Sequence, residues 1–405
     1  MSRPTTTPNA AARTQVVAEA ERPLSTGIRL AERGWVPDAL LRRGIRSLCR
    51  DRLREEREGG SEAIAAREAA FLAAMAGDQV APVPEKANDQ HYEVPADFYA
   101  TCLGPHRKYS SCWWPEGTTT LAEAEAAALA ETCRRAGLDE PEPNGPGSGM
   151  DILELGCGWG SLTLWMGEHY PNARIRAVSN SASQRAHIMG EAERRGLGNI
   201  QVVTRDMNDF DAHRDVPGFA GADRIVSVEM FEHMRNWPEL MRRAATWVRP
   251  DGSLFLHVFC HRTLVYPFQA DGNDDWMGRY FFSGGIMPSA DLATRFDRDF
   301  RVDEQWIWDG THYGRTAEAW LEHLDRHRDQ AMPILKRTYG ADAKLWFQRW
   351  RMFFLACAEL FNYDGGQEWM VVHWRLRPQS APRPVADPPI VEVGGRVATP
   401  SETGS

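Results

Sequence analysis

The stretch DILELGCGWGSL, residues 151–162, joins a short apolar segment to three glycines at alternate positions. Gly156, Gly158 and Gly160 follow an acidic residue, Glu154, that lies inside the apolar segment. Glycines between a strand and a helix let backbone N–H groups approach a ligand without side-chain obstruction. The stretch therefore predicts a ligand-binding turn at the carboxyl edge of a parallel sheet.

Around this turn, short apolar segments alternate with helix-length segments over residues 150–260. Such alternation indicates crossover helices and a mainly parallel sheet, so we expect an α/β, Rossmann-like core there. The expected strands are DILEL, RIRAVS, IQVVTRD, DRIVSVE and SLFLHVF.

The rest of the chain divides around this core. Residues 28–138 are predicted to be helical, and the Pro- and Gly-rich segment 139–149 separates them from the core. Residues 261–376 contain two helical segments and a late strand in EWMVVHWRLRP. Residues 1–27 and 377–405 have few groups to bury, so we expect disordered tails.

Charge and cysteine content exclude several classes of protein. The formal charge of −9 argues against a dedicated nucleic-acid binder. Seven scattered cysteines without a CxxC pair predict reduced thiols and no structural metal site. No segment approaches the roughly 20 apolar residues of a membrane span, and the start has no signal-peptide core, so we expect a cytoplasmic protein.

Two phosphate-binding motifs do not fit the glycine turn. A P-loop requires Gly-Lys-Ser/Thr, which is absent, and a dinucleotide site requires G-x-G-x-x-G with an acidic residue about twenty positions later. The observed E-x-G-x-G-x-G instead resembles motif I of class I S-adenosylmethionine-dependent methyltransferases. The alternative is a turn that only packs a helix onto the sheet.

Eight further or overlapping motifs extend the resemblance over roughly residues 28–376. They are KANDQHYEVPADFY, KYSSCWW, LELGCGWGSLTL, AVSNSASQ, EMFEHM, DDWM, HYGRTAEAW and LFNYDGGQEWMVVHW. In this order they resemble the coclaurine N-methyltransferases, which are grouped with the cyclopropane fatty acid and mycolic acid synthases. The resemblance implies a class I methyltransferase fold with a helical N-terminal lid and a substrate-capping insertion.

The same resemblance implies S-adenosylmethionine as cofactor and a set of residues that contact it. Ser179 and Asn180 have an alternative role as ordinary turn residues. The implied cofactor residues are Tyr109, Ser110, Glu154, Gly156, Gly158, Gly160, Ser179, Asn180, Gln184, Asp206 and Met207.

For the acceptor, the resemblance implies two chemistries. An aliphatic amine is mostly protonated near neutral pH, so its methylation needs a base within hydrogen-bond reach. In the N-methyltransferase branch this pocket corresponds to Tyr92, Glu93, Glu232 and His233. We expect Glu232 and His233 to orient and deprotonate the amine, and Glu93 to attract it, although His233 and Glu93 also suit helix ends.

The alternative chemistry is methyl or methylene transfer to an unsaturated lipid chain. There the family binds a bicarbonate ion, and the corresponding positions here are Ser111, Glu232, His257 and Tyr313, with serine in place of the family's cysteine. A lipid acceptor would also imply peripheral membrane contact. We favour a small-molecule amine, and expect Trp113, Trp114 and Trp276 either to stack on it or to belong to the core.

Overall fold

The computed structural model describes residues 24–82, 94–140, 149–268, 276–282, 284–381 and 391–393. A mixed eight-stranded sheet forms its centre, and a two-stranded ribbon lies beside it. The strands are Asp151–Leu155 (β1), Arg174–Ser179 (β2), Ile200–Thr204 (β3), Ala222–Val228 (β4), Val248–His261 (β5), Tyr266–Pro267 (β6), Ile286–Met287 (β7), Phe300–Trp308 (β8), Trp369–Pro378 (β9) and Val391–Val393 (β10).

The strand order in the sheet is β10-β8-β9-β5-β4-β1-β2-β3. Only β9 runs against its neighbours, because it pairs antiparallel with both β5 and β8, while every other pairing in this sheet is parallel. The predicted α/β fold with a mainly parallel sheet is confirmed. Each of the five predicted core strands is present.

Helices cover the sheet and build the regions before and after it. The helix Leu121–Arg135, within the region predicted to be helical, begins with a capping box, in which Thr120 and Glu123 satisfy each other's backbone groups. The helices are Thr26–Glu32 (α1), Asp38–Glu56 (α2), Gly60–Met75 (α3), Ala96–Cys102 (α4), Leu121–Arg135 (α5), Ser161–His169 (α6), Ala182–Arg195 (α7), Ala212–Asp215 (α8), Trp237–Trp247 (α9), Trp276–Tyr280 (α10), Gly310–Arg326 (α11), Arg328–Tyr339 (α12) and Ala343–Phe361 (α13).

A large aromatic core joins the front helices to the helices after the sheet. Trp320 of α11 and Trp350 of α13 are almost fully buried there, together with Phe98 and Tyr99 of α4. The ring centroids of Phe98 and Trp350 lie 5.0 Å apart. Burial of such large side chains on helices from distant parts of the chain fixes these helices against the sheet.

The turns after β1, β2 and β4 lie at one edge of the sheet because these strands are parallel neighbours. Ligands of open α/β sheets bind at this carboxyl edge. Within the part of the chain that the structure describes, no helix has the length and apolar character needed to cross a bilayer.

Candidate active site

A cavity opens at the carboxyl edge of the sheet, next to the glycine turn. Of the residues predicted to contact the cofactor, all except Gly160 line it. Gly160 instead allows close packing, because a Cβ on it would lie 2.6 Å from Cγ1 of Ile188 in α7. The structure therefore brings ten of the eleven predicted cofactor residues together from four segments of the chain.

The glycine turn presents backbone rather than side chains to this cavity. Gly158 has a φ of +50°, a value that residues other than glycine rarely adopt, and a Cβ there would meet no atom within 4 Å. The backbone N–H groups of Gly156 and Cys157 both donate to the carbonyl of Val178, at 3.0 Å. The turn is thus held against β2 while Gly158 faces open space, which suits a closely approaching ligand.

Two acidic side chains, Glu154 and Asp206, line the cavity. Glu154 is buried and accepts a hydrogen bond of 2.5 Å from the hydroxyl of Thr163. Burial raises the pKa of Glu154 to about 7, although the Thr163 bond opposes this shift. Asp206 follows β3, and its Oδ1 accepts the N–H of Asn208 at 2.8 Å.

At the end of β2, Ser179 and Gln184 lie next to each other. The Ser179 hydroxyl donates to Oε1 of Gln184 at 2.6 Å and accepts the N–H of Ser181 at 3.0 Å. Both side chains are buried and line the cavity. Ser179 therefore shapes the turn and also forms part of the cavity wall, and its contact with the cofactor stays a prediction.

Two buried ionisable side chains, Glu125 and Lys108, form hydrogen bonds that hold the segment carrying Tyr109 and Ser110. The Glu125 carboxylate accepts the N–H groups of Gly104, His106 and Lys108, and burial raises its pKa to about 7. The Lys108 ammonium donates to the Ser110 hydroxyl and to the Ser111 carbonyl, each at 2.6 Å. Burial lowers the pKa of Lys108.

Opposite this segment lies a carboxylate that the sequence analysis did not single out. Glu229 lines the cavity directly after β4, and its Oε1 accepts the backbone N–H of Ser111 at 2.8 Å. The same oxygen lies 3.2 Å from Nε2 of His257, and Oε2 accepts the Tyr313 hydroxyl at 2.7 Å. Three predicted bicarbonate-site residues therefore converge on a carboxylate of the protein itself.

The backbone of Glu229 is held in an unusual conformation. Its φ is +47°, in the left-handed region that is strained for a residue with a long side chain. Its N–H donates to the carbonyl of His257 at 2.8 Å, which fixes this conformation against β5. A charged residue placed immediately after a strand at the ligand-binding edge was the available sequence signal for it.

Glu232 lies behind the cavity wall and does not line it. It is fully buried, and its Oε1 accepts the N–H of Phe259 at 2.7 Å, whereas Oε2 has no hydrogen-bond partner among the described residues. Burial and the neighbouring Glu229 raise the pKa of Glu232 well above its usual value.

His233, the other half of the predicted pair, does line the cavity. Its ring stacks on Phe282 with centroids 4.3 Å apart, so an aromatic neighbour sets the orientation of the imidazole. Tyr92 and Glu93, the remaining predicted pocket residues, lie outside the described residues. The structure therefore separates Glu232 from the cavity surface while placing His233 and Glu229 on it.

The three tryptophans considered as substrate contacts belong to the core. Trp113 stacks on Trp308 at 5.9 Å with nearly parallel rings, and Trp114 donates its N–H to the Thr316 hydroxyl. Trp276 is buried and donates to Glu32. None of the three lines the cavity, which favours the second of the two alternatives, that they pack in the core.

A mainly parallel sheet with one reversed strand, a glycine turn after β1, an acidic residue near the end of β1 and another after β3 define a class I S-adenosylmethionine-dependent methyltransferase. The family model described as mycolic acid cyclopropane synthetase matches residues 82–370. The chain belongs to this family. The predicted family and cofactor are confirmed.

Two curated relatives represent the two branches of the family. The chain is 35% identical to an (S)-coclaurine N-methyltransferase of Thalictrum flavum subsp. glaucum, over 85% of this chain and 93% of that protein. It is 28% identical to the cyclopropane-fatty-acyl-phospholipid synthase of Escherichia coli (strain K12), over 71% and 67% respectively. The similarity extends further in the first case.

A solved structure from the coclaurine N-methyltransferase branch is also similar to this chain over most of its length. A crystal structure of a coclaurine N-methyltransferase bound to N-methylheliamine and SAH superposes with a TM-score of 0.79 at 33% identity. It covers 90% of this chain and 99% of that chain. The resemblance therefore includes the regions before and after the Rossmann-like core.

Proposed function

We propose that this protein transfers a methyl group from S-adenosylmethionine to the nitrogen of a small amine that carries an aromatic ring. Its relatives in this branch are named as N-methyltransferases of coclaurine, and the similar solved structure holds an N-methylated product. The choice between an amine and a lipid alkene rests on the surroundings of Glu229.

The proposal rests mainly on the position of the Glu229 carboxylate. It accepts hydrogen bonds from Ser111 and Tyr313 and lies within 3.2 Å of His257, so it fills the place that these residues would offer to a bicarbonate ion. A second anion beside it would be repelled, whereas an ammonium would be attracted. A substrate amine suits this site better than a carbocation chemistry that needs a bound bicarbonate.

The walls around this carboxylate suit an aromatic cation. Their rings provide apolar surface and electron-rich faces, which bind an ammonium next to an aromatic group. The aromatic residues that line the cavity are Tyr99, Tyr109, Trp159, Phe259, Phe282, Tyr313, Trp320 and Phe353.

S-Adenosylmethionine supplies the methyl group on a sulfonium, which leaves as a neutral thioether. The protein has to hold the acceptor nitrogen in line and exclude water. Glu229 attracts the substrate ammonium, and the His233 imidazole accepts its proton so that the nitrogen lone pair can attack. Glu232 adjusts the proton affinity of this group of side chains from behind the wall. The roles of Tyr92 and Glu93 stay predictions from the resemblance.

An acceptor assay tests the proposal. Purified protein and labelled S-adenosylmethionine are offered tetrahydroisoquinoline, a secondary amine fused to an aromatic ring, or vesicles of monounsaturated phosphatidylethanolamine. We expect a mass gain of one methylene on the amine and none on the acyl chains. Products confined to the acyl chains would overturn the proposal. A cytoplasmic location and the absence of membrane contact also follow from it as predictions.

A further inference from the structure

Behind Glu229, a chain of hydrogen bonds leads away from the cavity through the sheet. Nδ1 of His257 lies 2.8 Å from Nε2 of His373, and Nδ1 of His373 lies 2.8 Å from Nη1 of Arg135. The two histidines face each other in the antiparallel register of β5 and β9. Neither histidine is exposed to solvent, and Arg135 is 5% exposed.

The guanidinium assigns the direction of every bond in this chain. Arginine only donates, so Nδ1 of His373 accepts and the proton of this ring lies on Nε2. That proton is donated to Nδ1 of His257, which leaves the proton of His257 on Nε2, directed at Glu229. One cation in α5 therefore determines the tautomers of two successive rings.

Burial, helped by nearby cations, keeps the two rings neutral. Burial is the main cause that lowers the pKa of His257 to about 4 and the pKa of His373 well below its usual value. The charges of Lys108 and Arg135 act in the same direction, and only Glu229 favours a proton on His257. Neutral rings are required, because a doubly protonated ring would have no nitrogen free to accept.

Arg135 is itself held firmly at the far end. Its Nε lies 2.6 Å from Oε1 of Glu131, one turn earlier on α5. The guanidinium lies over the rings of Trp306 and Trp308, at 5.2 and 5.4 Å from their centroids. Both tryptophans belong to β8. The chain of hydrogen bonds from Arg135 through His373 and His257 to Glu229, the histidine relay, therefore begins at a cation that a helix and a strand hold outside the cavity.

We propose that Arg135 and His373 are positioning residues for methyl transfer, which act through His257 to hold the Glu229 carboxylate toward the substrate ammonium. This inference rests on the proposed function for its kinetic consequence but not for its structural content. The Glu229 carboxylate can only accept hydrogen bonds, and the relay ensures that His257 donates one to it. If the relay is interrupted, His257 can adopt the other tautomer, whose unprotonated nitrogen faces Glu229, and the carboxylate loses that donor.

The kinetic test compares two substitutions of one residue. His373→Phe fills the space but neither accepts nor donates, whereas His373→Gln provides an amide that can do both. With tetrahydroisoquinoline as probe, we expect His373→Phe to lower kcat/KM roughly ten- to a hundredfold, the scale of one hydrogen bond to a charged group. We expect the acid limb of the pH dependence of kcat/KM to move to higher pH, because a carboxylate that has lost a hydrogen-bond donor binds a proton more readily, and His373→Gln to restore most of both.

His261→Gln is the matched control, because His261 is equally buried on β5 but contacts Glu368 and the backbone of residues 263 and 264. It should lower thermal stability without moving the acid limb. A purely structural role of His373 would make both His373 variants lose stability and activity together, with an unmoved acid limb. That result would overturn the proposal, as would unchanged kinetics in His373→Phe.

A spectroscopic test separates this inference from the proposed function. Nitrogen NMR of protein labelled in its twelve histidines reports which ring nitrogen carries the proton, with His257→Gln and His373→Gln assigning the two signals. We expect both rings to be neutral with the proton on Nε2 down to about pH 5. A proton on Nδ1 of either ring overturns the relay, whichever acceptor the enzyme uses. If the relay is found but no amine is methylated, the proposed function alone fails.

Discussion

The hydroxyl of Tyr313 donates to Oε2 of Glu229 across 2.7 Å and joins the start of helix α11 to the end of strand β4. The two residues are 84 positions apart in the chain. This bond connects the Rossmann-like core with the region that follows it, and both residues line the cavity. Burial and the nearby Glu229 charge raise the pKa of Tyr313 well above its usual value, so the phenol keeps the proton that it donates.

Glu229→Gln tests the charge at this point. The amide keeps the shape but replaces one accepting oxygen by a donor, which would face the N–H of Ser111 or the hydroxyl of Tyr313. We expect kcat/KM for an amine to fall about a hundredfold or more, with the cofactor Kd changed less than about threefold. Steady-state kinetics and calorimetry measure the two quantities. An unchanged kcat/KM would contradict the proposed role.

Tyr313→Phe removes one donor and leaves the carboxylate charged. The ring should stay in place, because it stacks on Phe361 with centroids 4.1 Å apart. We therefore expect a smaller loss than for Glu229→Gln, about tenfold in kcat/KM, with little change in melting temperature. A loss larger than that of Glu229→Gln would show that the hydroxyl acts on the substrate directly.

Glu232→Gln tests the residue behind the wall. Its Oε1 accepts the Phe259 N–H, and a glutamine carbonyl can keep that bond, so the fold should tolerate the change. We expect cofactor binding to stay largely intact while turnover drops severely, because the neutral amide can no longer adjust the proton affinity of the side chains in the cavity. Parallel loss of binding and turnover would assign Glu232 to structural support instead.

The pKa of Glu154 predicts a pH dependence of cofactor binding. Because burial raises this pKa to about 7, the carboxyl is largely protonated below that pH in the folded protein. Hydroxyl or ammonium donors of a ligand favour the ionised form, so binding should release a proton and tighten as pH rises through about 7. Calorimetry in buffers of different ionisation enthalpy measures this release. Glu154→Gln should abolish the pH dependence, and a wild-type affinity that falls with rising pH would contradict the assignment.

The sequence was sufficient for the core strands and the glycine turn because their signals are local. The strand Asp151–Leu155 is buried along its whole length, and three of its five residues are apolar, which gives it a strand signal in the sequence. Strand β8 was not predicted, since its residues 301–305 are only partly buried and include charged side chains. Asp303 and Glu304 pair with Arg375 of β9, and that partner lies about 70 positions away. The polar residues of β8 are explained only by its pairing with β9.

The arrangement around Glu229 could not be predicted from the sequence for a similar reason. Its contacts come from Ser111, His257 and Tyr313, which lie on three separate elements, and the resemblance gave those positions without their common neighbour. The left-handed backbone of Glu229 has no sequence signature either, because glutamate rarely adopts it. Sequence motifs therefore identified Ser111, His257 and Tyr313 as hydrogen-bond donors, and only the structure showed that all three contact Glu229.

The glycine turn allows a test that separates backbone strain from cofactor contact. Gly158 and Gly218 both have positive φ values, +50° and +70°, and a Cβ at either position would meet no atom within 4 Å. Replacement by alanine should therefore cost a similar stability in each case, about 1 kcal/mol, from backbone strain alone. Only Gly158 lines the cavity, so a methyl group there enters the space that the cofactor needs.

We expect Gly158→Ala to weaken S-adenosylhomocysteine binding about tenfold or more, and Gly218→Ala to leave it within about twofold of wild type. Calorimetry measures the affinities, and thermal unfolding without ligand shows whether the two stability losses match. Equal affinities in both variants would mean that the turn only packs helix α6 onto the sheet, which was the alternative interpretation of the glycine motif.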